Sequence, residues 1–147
     1  MSTSSETVAA LLRSTVTRLT RQLRKQNVGA AYSNAELLTM SLLEQHIRLL
    51  PTELAEMERV SKQAISQILN RLLDAKCIVR LQSEEDKRKI FISLSKFGRD
   101  QLLDIRKIKE EWLVKTMEKL YSPNEIQLIQ AFLPLLSRLA EYNETIV

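Results

Sequence analysis

The chain has 147 residues, 44% hydrophobic and 27% charged, which is the length and balance of one globular domain. With only 2 Gly and 3 Pro, one Cys and one His, it offers no internal disulfide and no Cys/His cluster of zinc spacing, so neither metal nor cofactor is expected. The net charge of +4 is concentrated in residues 1–25 and 59–89, where cations exceed carboxylates by four in each, the footprint expected of a nucleic-acid contact.

The first helical pattern runs from about Glu6 to Asn27, with Val8, Leu11, Leu12, Val16, Leu19 and Leu23 at three-to-four spacing and Gly29 as a stop. Ser33-Asn34-Ala35-Glu36 forms a capping box for a second helix to about Gln45. Leu37, Leu38, Met40, Leu42 and Leu43 make that helix apolar on most sides and so central to the fold. Pro51 opens a short helix, Thr52 to Glu58, and a turn through Arg59 and Val60 leads to Ser61. Ser61 caps a helix to about Lys76, in which Ile65, Ile68, Leu69, Leu72 and Leu73 follow the amphipathic template without a gap.

The period then changes. Ile78-Val79-Arg80-Leu81 and Ile90-Phe91-Ile92-Ser93-Leu94 are β-branched-rich runs separated by polar residues, and they predict a hairpin. Ser95 caps a long helix to about Tyr121, with Leu102, Ile105, Ile108, Trp112, Leu113, Met117 and Leu120 expected as buried positions. Ser122-Pro123-Asn124-Glu125 starts a last helix carrying Ile126, Ile129, Phe132, Leu133, Leu136 and Leu139, which Pro134 should kink. The predicted class is mainly α with a small β-hairpin: a winged helix-turn-helix lobe plus a helical region.

The helix after Ser61 carries the chemistry. At 100° per residue, Gln63, Ser66, Gln67 and Asn70 occupy the centre of its polar face, flanked by Lys62 and Arg71. Amides and hydroxyls suit base edges in a major groove, and flanking cations suit phosphates. A solvated helix face explains such a pattern equally well in isolation. The element order decides between them: short helix, tight turn, Ser-capped helix, then a hairpin whose tip, Asp86-Lys87-Arg88-Lys89, can enter a minor groove.

These residues resemble the MarR (multiple antibiotic resistance regulator) family. The resemblance is carried by Leu54-Ala55, Ser61 through Ser66, Asn70-Arg71-Leu72, Asp86-Lys87-Arg88 and Leu94-Ser95-Lys96-Phe97-Gly98, and it covers about residues 33–98 by motif. It implies a single domain over residues 1–147, with the winged lobe at about 33–98 and a helical dimerisation region at about 6–28 and 96–143. It also implies a homodimer binding double-stranded DNA at a pseudo-palindromic operator, with Arg88 in the minor groove and Asp86 helping to hold it. The output is expected to be repression that responds to a small anionic or phenolic effector. Val8, Leu12, Leu19, Leu133, Leu136 and Leu139 are the expected interface, while no effector residue is assigned.

Three positions depart from the family pattern. Leu50 precedes Pro51 where Thr or Ser often caps; Cys77 stands at a position usually occupied by glycine, which favours positive φ; and Asp74, Glu84 and Glu85 lie near the expected DNA face. The carboxylates motivate an alternative function, a winged-helix protein-interaction module without sequence-specific DNA binding. Cys77 is read as a small, semi-buried side chain rather than a redox switch. Trp112, Tyr32, Met40 and His46 are read as core or boundary residues rather than a pocket lining. No Gly-rich phosphate loop, Gly-x-Ser-x-Gly elbow or His/carboxylate pair suggests an enzyme. The polar start lacks a signal-peptide layout, no apolar run approaches the ~20 residues of a membrane span, and a cytoplasmic location is expected.

Overall fold

The structure, a computed structural model, describes residues 2–26 and 31–143. Its elements in order are α1 (Ser2–Lys25), α2 (Asn34–Gln45), α3 (Pro51–Glu58), α4 (Lys62–Asp74), β1 (Ile78–Gln82), β2 (Ile90–Leu94), α5 (Lys96–Leu120) and α6 (Pro123–Glu141). The chain divides into two compact units, residues 1–109 and 110–147. The expected class, mainly helical with one hairpin, is the observed one. Helix α1 starts earlier than Glu6, and the expected stop at Gly29 lies outside the described residues.

The core of the first unit gathers one face from α2, α3, α4, the hairpin and the start of α5. Leu37, Met40 and Leu43 of α2 meet Leu54 and Ala55 of α3, Ile65, Ile68, Leu69 and Leu72 of α4, Ile78, Ile92 and Leu94 of the hairpin, and Leu102 and Ile105 of α5. Met40, Leu54 and Leu72 have no exposed surface, so α2 is central as its composition suggests. The strands pair antiparallel from Ile78 with Leu94 to Gln82 with Ile90. Leu49 adds a short third edge through two backbone bonds to Ile92, of 3.0 and 2.8 Å. The Arg48 guanidinium sits 4.3 Å over the ring of Phe91 on β2, a cation–π contact.

The helix ends are fixed by side chains. Ser33 and Glu36 close a capping box on α2, and Ser122 and Glu125 do the same on α6. Leu50 supplies no cap, yet the Glu53 carboxylate accepts its amide at 2.9 Å and Pro51 occupies the first turn, where a missing N–H costs nothing. Helix α6 continues through Pro134.

Two expectations are corrected. Helix α4 ends at Asp74 rather than Lys76, because the Cys77 amide turns back to Leu72 O at 2.9 Å. The left-handed residue of that turn is Lys76, with φ 63°, and not Cys77, which is fully buried. A non-glycine residue in this region costs about 1 kcal/mol or more, and the neighbouring bonds offset it. Ser95 Oγ donates to Lys76 O at 2.7 Å, and the Ser95 amide donates to Cys77 O at 2.9 Å. Ser95 Oγ also accepts the Gly98 amide at 2.9 Å, which caps α5. A side chain at position 98 would collide with the Cys77 carbonyl oxygen, so Gly98 is the residue that lets α5 pack on this turn.

The second correction concerns α5. Leu102 and Ile105 are buried, but Trp112, Leu113 and Met117 are half-buried and Ile108 and Leu120 are more than half exposed. The apolar period thus continues past Ile105 although, among the described residues, no element fully covers it. A periodic stripe specifies a face to be covered and is silent about which chain covers it.

Candidate nucleic-acid interface

The interface begins at the α3–α4 turn. Arg59, at φ 53°, ends α3 in the left-handed region, and the Val60 amide returns to Ala55 O at 3.0 Å. Ser61 is extended, and its hydroxyl accepts the Ala64 amide at 3.0 Å. This cap sets the first turn of α4, whose amides carry the positive end of the helix dipole towards any phosphate approaching there.

Burying Ile65, Ile68, Leu69 and Leu72 turns the opposite face of α4 outwards. Ser61, Lys62, Gln63, Ser66, Gln67, Asn70 and Arg71 are all exposed, so the structure brings the seven residues singled out on this helix onto one accessible surface. Asn70 and Arg71 are also engaged within the chain. Arg71 Nε donates to Glu36 Oε1 of α2 at 2.9 Å, and Arg80 Nη2 on β1 reaches Asn70 Oδ1 at 3.5 Å.

The wing tip is held by its own bonds. Ser83 and Lys89 are joined by a 2.9 Å backbone bond, and Gln82 Nε2 donates to Lys87 O at 2.8 Å. Asp86 accepts three bonds from Arg88: the backbone amide at 3.1 Å, Nε at 3.2 Å and Nη2 at 3.4 Å. The Arg88 side chain, then its backbone amide, hold the Asp86 carboxyl below the usual carboxylate range, with Lys89 adding to the effect. The Arg88 side chain nevertheless stays 91% exposed, beside the exposed Lys87 and Lys89. Asp86 therefore orients Arg88 without covering it.

Two participants escaped sequence reading. Arg80 faces the polar side of α4 from β1, lining a cleft of about 290 Å³ with Ser66, Leu69 and Asn70. Its signal was available, since it is a cation inside a β-branched run directly before the basic tip. The sequence around Glu36 shows only a capping residue, and nothing local announces its bond to Arg71, 35 positions away. The remaining expected positions lie elsewhere: Val8, Leu12 and Leu19 on α1, and Leu133, Leu136 and Leu139 on α6.

A short helix, a tight turn, a capped helix with an outward amide face and a hairpin with a cationic tip together define a winged helix-turn-helix of the DNA-binding class. Residues 32–90 match the MarR family. An uncharacterized HTH-type transcriptional regulator of Mycobacterium leprae is 30% identical over 107 residues, covering 73% of this chain and 75% of that one. A crystal structure of a protein assigned as a transcriptional regulator of Pseudomonas aeruginosa superposes with a TM-score of 0.82 at 34% identity, over 93% of this chain and 95% of that one. A mutant of S. aureus MepR bound to an oligodeoxyribonucleotide has the same fold, with a TM-score of 0.68 at 21% identity over 90% and 97% of the two chains. The chain belongs to the MarR family and is a DNA-binding transcriptional regulator.

Proposed function

We propose that the protein is a cytoplasmic homodimeric repressor whose two α4 helices enter successive major grooves of a pseudo-palindromic operator, released by a small anionic ligand. The observation that carries this reading is the α4 surface. Gln63, Ser66 and Gln67 are exposed, so their amides and hydroxyl are available to base edges. Lys62 lies at the flank for phosphate, and Arg88 extends from the wing towards a minor groove. The DNA complex of the S. aureus relative supports the same use of the fold here.

Dimerisation is supported by surface that the single chain leaves wet. No residue of α6 is buried, and Leu128, Leu133, Leu135 and Leu139 are each at least half exposed. On α1, Val8 and Leu19 are 60% and 46% exposed, and Leu12 is half-buried. Exposed apolar surface costs about 25 cal/mol per Å2 in water, and in the proposed dimer a second copy removes it. The proposed dimerisation surfaces are α1 in the first unit and, in the second, the distal part of α5 with α6.

Ligand response is supported by a cleft of about 520 Å³ in the first unit, where apolar Leu23, Leu37 and Leu102 stand beside Arg24, Arg106 and Lys109. Burial first, then Arg106 and Arg24, lower the Lys109 pKa. A group crowded in this way gains from a bound anion.

Equilibrium titration of the full-length protein tests the reading, using a duplex recovered by selection of bound genomic fragments and a shuffled duplex of equal length. At physiological salt the selected duplex should bind at least about a thousandfold more tightly. Equal affinity for both would refute operator recognition and favour the protein-interaction alternative.

A further inference from the structure

We infer that Arg71 is a positioning residue: its bond to Glu36 fixes the rotation of α4 about its own axis, and Arg71 is not a phosphate contact. This rests on the DNA-binding reading above, and it replaces the phosphate role that the position of Arg71 suggests in the sequence.

The Glu36 side chain is only 10% exposed and both of its oxygens are used. Oε2 accepts the Ser33 amide at 3.2 Å, closing the capping box of α2, while Oε1 accepts Arg71 Nε at 2.9 Å. One buried carboxylate thus joins the fixed N-terminus of α2 to the side of α4. A carboxylate held in low dielectric retains its cation, because losing it leaves an uncompensated charge. Arg71 swung out to a phosphate would leave Glu36 in that condition.

The packing of α4 against the core is otherwise apolar, through Ile65, Ile68, Leu69 and Leu72, and its bond from Arg80 Nη2 to Asn70 Oδ1 is longer, at 3.5 Å, and exposed. Apolar burial is non-directional, so it holds the helix against the core but constrains rotation weakly. A charge-assisted bond at 2.9 Å is directional. Arg71 lies one turn after Gln67 on the same side of the helix and directly after Asn70, so fixing its azimuth fixes theirs. Base readout needs such placement, since hydrogen bonds to base edges weaken steeply with misalignment.

The two roles give opposite expectations at Glu36. If Arg71 binds phosphate, Glu36 competes with DNA, and Glu36→Gln should leave binding unchanged or strengthen it. If Arg71 is a positioning residue, Glu36→Gln should weaken binding although it removes only a negative charge. Gln also preserves the capping box, whose acceptor can be an amide.

The experiment measures selected-duplex affinity against salt for the full-length protein and for Glu36→Gln, Arg71→Gln, Arg71→Lys and the double Gln variant. Glu36→Gln and Arg71→Gln should each weaken binding by about tenfold, and the double variant should be little worse, the signature of directly coupled residues. Arg71→Lys should behave as Arg71→Gln, because Lys keeps the charge but lacks the Nε geometry. The salt slope should stay near that of the unsubstituted protein. The inference is overturned if Arg71→Gln alone lowers the slope by about 0.9, the share of one phosphate, while Arg71→Lys restores it and Glu36→Gln is neutral or tighter.

Amide hydrogen exchange over Lys62–Asp74 provides a second readout without DNA. Faster exchange in both single Gln variants is expected, and unchanged exchange in both overturns the inference. If the unsubstituted protein prefers no duplex, the operator reading falls and the exchange data alone decide the role of Arg71.

Discussion

Helices α4 and α6 carry apolar residues at the same three-to-four spacing, yet they end in different circumstances. Of the apolar positions of α4, Ile65, Ile68, Leu69 and Leu72 are buried within their own chain, Leu72 wholly, and Leu73 is half-buried. Helix α6 has no buried residue, and Leu139 is 62% exposed. The winged lobe is complete in one polypeptide, whereas α6 presents a face that remains to be covered. Substitutions in the two regions should therefore affect different observables: thermal stability for the lobe, and association for α6.

The largest expected effect lies in the lobe. Leu72→Ala removes a side chain with no exposed surface and should cost about 2–5 kcal/mol, read as a lower unfolding midpoint in denaturant. A cost near zero would mean that the core is not the one described. Gly98→Ala should cost about 1–3 kcal/mol in the same assay, because its methyl group meets a backbone carbonyl rather than a flexible side chain. A neutral result there would break the link between α5 and the turn at Lys76. On α6, Leu133→Glu combined with Leu139→Glu should shift the sedimentation mass at micromolar concentration from dimer to monomer while leaving the lobe folded. An unchanged mass would remove α6 from the interface.

The wing gives a smaller effect. Arg88→Ala should weaken binding to all duplexes alike and reduce the salt slope by about one contact. A loss confined to one sequence would instead make Arg88 a base reader.

The smallest effect concerns Glu58, whose pKa is raised, chiefly by burial. Thr39 has one hydroxyl proton and two oxygens in reach, Ala35 O at 3.0 Å and Glu58 Oε1 at 2.6 Å. The bond from the Thr39 hydroxyl lowers the Glu58 pKa, but burial outweighs it. A carboxyl whose pKa is raised on folding contributes stability below its unfolded pKa, and that contribution is lost as pH rises through the folded value. The melting temperature should fall modestly across that window, and Glu58→Gln should flatten the fall. A fall of equal size in the variant would assign it to other groups.

The parts of the molecule legible in the sequence were those written locally. Ser61, the gapless period from Ile65 to Leu72 and the change of period at Ile78 place α4 and the hairpin, because capping and amphipathicity act over a few residues. The Arg71–Glu36 and Arg80–Asn70 contacts were not legible, because they join residues that meet only after the lobe has packed. The positive φ falls at Lys76, one residue before the position the family pattern indicates, because the bond from the Cys77 amide to Leu72 O sets the turn and sequence does not show it. Ile108 and Leu120 were expected in a core because spacing reports that a face is apolar and says nothing of what covers it.

Base reading by α4 is tested most directly through Gln67→Ala, titrated against a set of selected duplexes that differ by one base pair at each position. The variant should lose about 1–3 kcal/mol on the preferred sequence and become indifferent to substitution at one position in each half-site, keeping its discrimination at the others. A uniform loss across the whole set, with every position still discriminated as before, would contradict the account.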